Sequence, residues 1–525
     1  MDALAAVAQV QNVQGMLSSL AVLNLIGYKW PKHTDVRDGA KFDFIIVGAG
    51  TAGCVVANRL IEQGNYSVLL IEAGGDPPFE SEMPGLFPYI KRSSADWNFT
   101  STSDSCSMPT HRNNAVEITQ GKMIGGTASL NYLGYARGNP YDYDRWAKFT
   151  NDSTWSWESV LPTFKKNEKL TDKTILCSPD KHFYGTDGNI EIANQYYQKN
   201  EDYFSAFQEL GWDCPLNVNP DAPLGFTNVM FGIGDGERQS TALKFLSPIK
   251  DDPNLYVMKN TLATKLIFDK HGKKAIGVEL VTKNGKMITV KAKKEVIVSA
   301  GVIKSPQLLM LSGIGPKRHL QRHGIKVVAD LPVGKNLQDH INMHLIYKMT
   351  KAKKEEPHDI DPHKYPYTIL QGHVALNQSK GFPDYEIVGI TMDEKDILSG
   401  LCAFYFNFDY KYCSVLNRKM GSSEIFLGVI THLYPKSRGE VHLASTDPNE
   451  QPIIDLGYFK NEEDIVEHVK YFHDFNRIMK TSYFKKVDAK LVLPELKHCK
   501  SFKEDSEEYW RCYAVGMSDT AYYYV

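Results

Sequence analysis

Residues 42–72 read FDFIIVGAGTAGCVVANRLIEQGNYSVLLIE, and this stretch decides the fold. Phe42 to Val47 is a short apolar run that stops at glycine, the pattern of a parallel strand buried on both faces. Thr51 to Gln63 has a helical pattern and meets Gly64, a residue suited to ending a helix. Ser67 to Ile71 is a second buried strand, so strand, glycine turn, helix and strand form one βαβ unit. The turn, Gly48-Ala49-Gly50-Thr51-Ala52-Gly53, fits G-x-G-x-x-G. Its first glycine permits the tight turn, its second leaves the backbone bare for a pyrophosphate, and its third lets helix and strand pack closely. The pyrophosphate then faces the unpaired N–H groups of the helix start, worth about 0.3–1 kcal/mol when exposed and up to about 2 kcal/mol when partly buried. Glu72 follows Gly53 by 19 positions, where its carboxylate accepts from a ribose hydroxyl and disfavours a 2′-phosphate. Strand, helix and acid in register predict a dinucleotide site. The fingerprint by itself leaves FAD and NAD both open.

Working outward, 525 residues exceed what one core usually supports, so two interleaved domains are expected. With 60 basic against 62 acidic residues there is no polyanion-binding charge, and nucleic acid is not an expected partner. The eight cysteines form no C-x-x-C pair, which argues against a zinc site or a dithiol motif and leaves disulfide pairing open. Gly15 to Tyr28 has the length and apolarity of a signal-peptide core but no basic region before it; an amphipathic helix packed on the body is the alternative. It is too short and polar for a stable membrane span. Sequons at Asn65, Asn98, Asn151 and Asn377 would be acceptors in a secreted protein, although a chain of this length gives several by chance; secretion is favoured, with a cytoplasmic location still open. A β pattern returns after the aromatic, irregular stretch from Asn151 to about Pro220, at Leu255–Val257, Lys265–Phe268, Ala275–Leu280, Met287–Val290 and Glu295–Val298.

Three blocks resemble the glucose-methanol-choline oxidoreductase family. The first runs from Asp43 to Gly75, with its glutamate followed by Ala-Gly-Gly. The second, residues 121–146, GKMIGGTASLNYLGYARGNPYDYDRW, resembles the family loop that lies along the flavin. The third, residues 299–316, SAGVIKSPQLLMLSGIGP, is followed by Pro332 to His340, PVGKNLQDH. Residues 236–246 and 433–459 match further family segments, and the style is that of the insect members, among them glucose dehydrogenases and ecdysone oxidases.

The resemblance implies an α/β fold: a Rossmann-like FAD-binding domain (41–150 and 225–345) with an interleaved α+β substrate domain on an antiparallel sheet (151–224 and 346–495). Residues 1–40 are an N-terminal segment and linker, and 496–525 an incomplete return to the FAD domain. The implied cofactor set is Gly48, Gly50, Thr51, Ala52, Gly53, Glu72, Gly121, Gly125, Gly126, Asn131 and Ala263. Gly125 and Gly126 let the backbone reach the isoalloxazine and Asn131 stands beside the ring, while Thr127-Ala128 replaces the usual two hydroxyl residues. The implied reaction oxidises a small-molecule alcohol, a sugar or a sterol-like compound, by hydride transfer to flavin N5, with oxygen or a quinone as final acceptor. A histidine takes the hydroxyl proton, and such a base contributes about 10²–10⁴-fold.

That histidine belongs in a Tyr-His-Pro-Val-Gly segment shortly after Trp510-Arg511-Cys512-Tyr513, yet Tyr523 stands at its place. C-terminal truncation is expected, with the closing strand and helix beyond Val525. Tyrosine, with a pKa of about 10, is a poor substitute. Among the histidines, His340 and His344 are expected to be structural, His468 and His473 to be surface or packing residues, and His432 is the one that could reach a pocket. A flavin-binding pseudoenzyme or fragment is the alternative to the enzyme, and an NAD-dependent dehydrogenase is disfavoured by the Gly121–Asn131 match.

Overall fold

A computed structural model describes residues 28–104, 107–218, 223–350, 361–392 and 401–521. Tyr523, Cys106, residues 15–27 and the charge run 351–356 lie outside the described residues. In chain order the elements that build the site begin with β1 (Lys41–Val47), α1 (Thr51–Ile61), β2 (Val68–Ile71) and α2 (Pro140–Thr150). Next come β3 (Gly225–Asn228), β4 (Leu255–Met258), β5 (Leu262–Phe268), β6 (Ala275–Val281), β7 (Met287–Val298) and α3 (Gly301–Leu311). The rest are β8 (Ile341–Met349), β9 (Thr368–Val374), β10 (Tyr385–Met392), β11 (Glu424–His432), α4 (Glu463–Phe475), β12 (Lys490–Leu491), α5 (Glu507–Gly516) and β13 (Ser518–Thr520).

The first sheet has the order β4-β2-β1-β7-β6-β5. Its half around β1 and β2 is parallel, while β5, β6 and β7 run antiparallel to one another. Every residue of β2 is buried, as a parallel strand covered on both faces requires. Cys54, Ala57 and Ile61 of α1 cover Ile46, Val68 and Leu70 on one face, and Ile45, Leu69 and Ile71 join Leu308 of α3 on the other. Helix α1 ends two residues earlier than expected, and Gly64 closes it with a left-handed φ of 74°. The strands expected at Met287–Val290 and Glu295–Val298 are one continuous strand, because its first half pairs with β6 and its second with β1 while the intervening lysines project outward.

The second sheet is antiparallel, with order β12-β8-β11-β10-β9-β3 and β13 alongside β8. Gly225–Asn228 and Ile341–Met349, expected with the FAD-binding part, therefore pair in this sheet. Residues 496–521, expected to return to the first domain, also pack here: Trp510 of α5 lies 3.9 Å from Phe472 of α4, centroid to centroid, and β13 pairs with β8. These ring contacts bury the aromatic face of α5 against α4.

Disulfides join Cys402 to Cys413 and Cys499 to Cys512. Cys54, Cys177 and Cys214 are free. Asn65, Asn98, Asn151 and Asn377 are all exposed. No helix of the described residues is long and apolar enough to cross a membrane.

Candidate functional site

The glycine turn after β1 owes its shape to three different constraints. Gly48 has φ 99°, and a Cβ there would collide with the Ser299 carbonyl. A Cβ on Gly53 would collide with the Gly48 carbonyl, so the third glycine serves helix–strand contact. Gly50 differs: its Cβ would meet nothing closer than Gly126 Cα at 3.8 Å, and its face opens on a cavity. The amides at the start of α1 point into that cavity, since the first turn of a helix has no internal acceptor for them.

Glu72 is buried and accepts from two amides, Ala49 N–H at 2.9 Å and Gly74 N–H at 2.8 Å. Burial pushes its pKa up to about 7 against those bonds and against the positive charge of Lys122. Each carboxylate oxygen keeps a lone pair for a hydroxyl donor. The second glycine loop closes over this turn: Gly125 N–H donates to the Ala49 carbonyl at 2.7 Å, and Gly121 N–H to the Thr127 hydroxyl at 3.3 Å.

Together these segments enclose a cavity of about 530 Å³. Gly48, Gly50, Thr51, Ala52, Glu72, Gly121, Gly126 and Ala263 line it. Gly53 and Gly125 act behind the wall, in backbone packing. Asn131 is held off the cavity by Arg238, whose guanidinium donates to Asn131 Oδ1 at 2.6 Å. Sequence reasoning missed Arg238, which lies within the matched segment 236–246. It also missed Trp97, Gln120, Lys304 and Pro448, which line the cavity from four separate regions of the chain. A cavity with helix amides, a buried acid and a bare Cα at Gly50 fits a dinucleotide. FAD is chemically suited to it.

The second sheet has two unlike faces. Phe426 of β11 packs on Tyr203 and Phe484, the space a Cβ at Gly428 would need is held by Phe475, and Tyr385 donates to Asp474, so this face carries the helices. Alternation sends their neighbours Asn342, Thr431, Glu386 and His373, which are cross-strand partners on β8, β11, β10 and β9, to the opposite face. Thr431 donates to Asn342 Oδ1 at 2.7 Å, and His373 Nε2 lies 3.7 Å from Glu386 Oε1. The side chains of Glu386 and His373 are 24% and 15% exposed, leaving both reachable. His373 and Gln371 border a small second cavity shared with Tyr135 to Pro140, the continuation of the Gly126 loop. The His373 end of the polar row thus borders the segment that continues the Gly126 loop.

The remaining histidines sort by face. His432 lies on the helix side, its ring centroid 5.0 Å from that of His468. His468 is fully buried, with its ring nitrogens 2.8 Å from the Asp464 carbonyl and 3.2 Å from that of Ile341; His473 is exposed. His344 Nδ1 donates to the Met517 carbonyl at 3.1 Å, and burial lowers its pKa. His111, which sequence reasoning passed over, is buried with neither ring nitrogen hydrogen-bonded, and Nε2 lies 3.5 Å from Asp519 Oδ1.

The sequence patterns of GMC oxidoreductases match residues 42–342 and 435–522. The chain is 34% identical to an ecdysone oxidase of Spodoptera littoralis over 95% of its own length and 85% of that protein's. It is 31% identical to the glucose dehydrogenase [FAD, quinone] of Drosophila melanogaster, covering 90% of this chain and 75% of that one. A solved formate oxidase variant from Aspergillus oryzae superposes with a TM-score of 0.76 at 26% identity, covering 93% of this chain and 88% of that one.

Proposed function

The chain belongs to the GMC oxidoreductase family, and on that premise we propose how its residues serve an FAD-dependent oxidation of alcohols. The enzyme oxidises the CH–OH group of a small-molecule alcohol with FAD as cofactor. The observation that carries the assignment of roles is the single cavity lined by the glycine turn, Glu72 and the Gly126 loop.

Gly48, Gly50, Thr51 and Ala52 bind the diphosphate through bare backbone and helix amides, Gly53 holds helix to strand, and Glu72 accepts from the ribose hydroxyls. Ala263, at the start of β5, borders the adenine end, while Gly121, Gly125 and Gly126 shape the flavin end. Asn131, fixed by Arg238, orients the flavin-side loop. When bound, the flavin supplies the hydride acceptor. The chain positions the alcohol: Glu386 and His373, the reachable members of the polar row, hold its polar end, and Val388 beside them borders its apolar body. The likeness to an ecdysone oxidase, at 34% identity against 31% for the glucose dehydrogenase, favours a sterol-like alcohol over a sugar. The first sheet with α1 and α3 is the cofactor domain, and the second sheet with α4 and α5 is the substrate domain.

Denaturing the purified protein and identifying the released nucleotide tests the cofactor; NAD, or no flavin after reconstitution, overturns it. Anaerobic mixing with ecdysone and with glucose, read as flavin bleaching, tests the substrate class, and faster bleaching by glucose overturns the sterol-like reading. Reoxidation by oxygen against a quinone then assigns the acceptor. A formal charge of −2 supports no role for nucleic acid.

A further inference from the structure

Lys304, one turn into α3, is a buried cation in the cavity wall that forms no ion pair among the described residues, Asp447 acting on it only from beyond contact distance. It is 8% exposed. Its ammonium donates to Gln307 Oε1 at 2.7 Å and to the Pro448 carbonyl at 3.1 Å, and it stands 4.6 Å from the Trp97 ring centroid. All three partners are neutral. Lys122 stands 4.8 Å from the same ring and adds a second positive charge to the neighbourhood. Elsewhere the chain treats a buried lysine differently: Lys259, 9% exposed, donates to both oxygens of Asp76 at 2.8 Å.

Burying an ammonium is costly unless an anion pairs with it. Hydrogen bonds to an amide and a carbonyl orient Lys304 without neutralising it. Lysine is a compact point charge that commonly serves phosphate groups. The cavity it borders also receives the amides of the α1 start, which favour the same kind of ligand. We propose that Lys304, supported by Trp97, is a cofactor-binding residue that supplies the counter-charge to a phosphate of the dinucleotide. This rests on the FAD reading and deepens it. Burial and the Lys122 charge pull the Lys304 pKa down to about 8 while the site lacks an anion, with Asp447 opposing them.

The test starts from purified flavoprotein stripped of its cofactor, titrated with FAD and with riboflavin, which has no phosphate. Lys304→Met should weaken FAD binding by about tenfold to a hundredfold, the range of a charge-assisted hydrogen bond, and leave riboflavin binding within twofold. Lys304→Arg should retain most of the affinity. Unchanged FAD affinity in Lys304→Met overturns the proposal while leaving FAD binding intact; equal losses for FAD and riboflavin also overturn it, because packing alone would then explain them. A wild-type protein that binds no FAD overturns the cofactor reading itself. Reductive methylation of the wild-type apoprotein keeps the question open to disproof if Lys304→Met does not fold: ADP should protect Lys304 and adenosine should not, and equal labelling with both refutes the phosphate role.

Discussion

Gly126 and Gly50 meet backbone to backbone: a Cβ on Gly126 would lie 2.7 Å from Gly50 Cα. Gly126 also has a left-handed φ of 53°, whereas Gly50 sits at −79° with its Cβ direction open to the cavity. The two glycines, far apart in sequence, therefore fail differently when substituted. Gly126→Ala must push the two loops apart and should lower apoprotein stability by about 1–3 kcal/mol, with FAD binding lost. Gly50→Ala should melt like wild type yet lose FAD affinity, because its methyl occupies diphosphate space. Thermal melts of both apoproteins with FAD titration check this; identical melting of the two variants would show that the loops do not touch.

Glu72 gives FAD binding a pH dependence. Its pKa of about 7 in the nucleotide-free site means that a proton competes below pH 7 for the lone pairs a ribose needs. Affinity should rise about tenfold per pH unit up to about pH 7 and then level. Glu72→Gln should bind weakly with no such slope. Apoprotein stability carries the opposite sign: a carboxyl raised from 4.5 holds its proton more tightly when folded, so its contribution is full below pH 4.5 and lost as pH rises to about 7. Fluorescence titration from pH 5 to 8 measures the first effect.

Glu168 anchors the chain between the flavin-side loop and α2. It is fully buried and accepts from Arg137 Nε at 2.6 Å, from a second Arg137 nitrogen, and from the Tyr135 hydroxyl at 2.7 Å. Glu168→Ala strands a buried guanidinium and should cost about 3–5 kcal/mol in urea unfolding. The double change Arg137→Met, Glu168→Leu should cost less than Glu168→Ala alone; a larger loss would mean that the pair itself is strongly net stabilising.

Glu386 should act on substrate rather than on cofactor. Glu386→Gln keeps the shape and removes the charge beside His373. With a hydroxyl-bearing substrate, KM should rise about tenfold or more while kcat holds within about twofold, the pattern of lost uniform binding. A change confined to kcat would remove Glu386 from the binding surface, and altered FAD affinity would place it on the cofactor instead.

The dinucleotide half was readable because its determinants are local. Gly48, Gly50, Gly53 and Glu72 sit on one strand–helix–strand unit, in which the Gly48 carbonyl demands glycine at position 53, while Gly48 itself is confined by the distant Ser299. The second loop, Gly121 to Gly126, was readable only through its family likeness, since what requires its glycines is Gly50 and the loop's own carbonyls in space. His432 shows the limit: strand residues alternate, and nothing local says which side will face the helices.

The sequence by itself determined the βαβ unit, its anion-binding turn and hence the class of cofactor, because strand, glycine turn, helix and acid follow one another along the chain. Tertiary structure alone decided the rest of the site. It brought Lys304 of α3 to Trp97 and Pro448 in one wall, tied Asn131 to Arg238, and aligned Asn342, Thr431, Glu386 and His373 across four strands. Those residues are joined by sheet register and by packing between distant segments. A slip of one residue in any strand would turn its member of the row to the helix side, so only the folded chain specifies it.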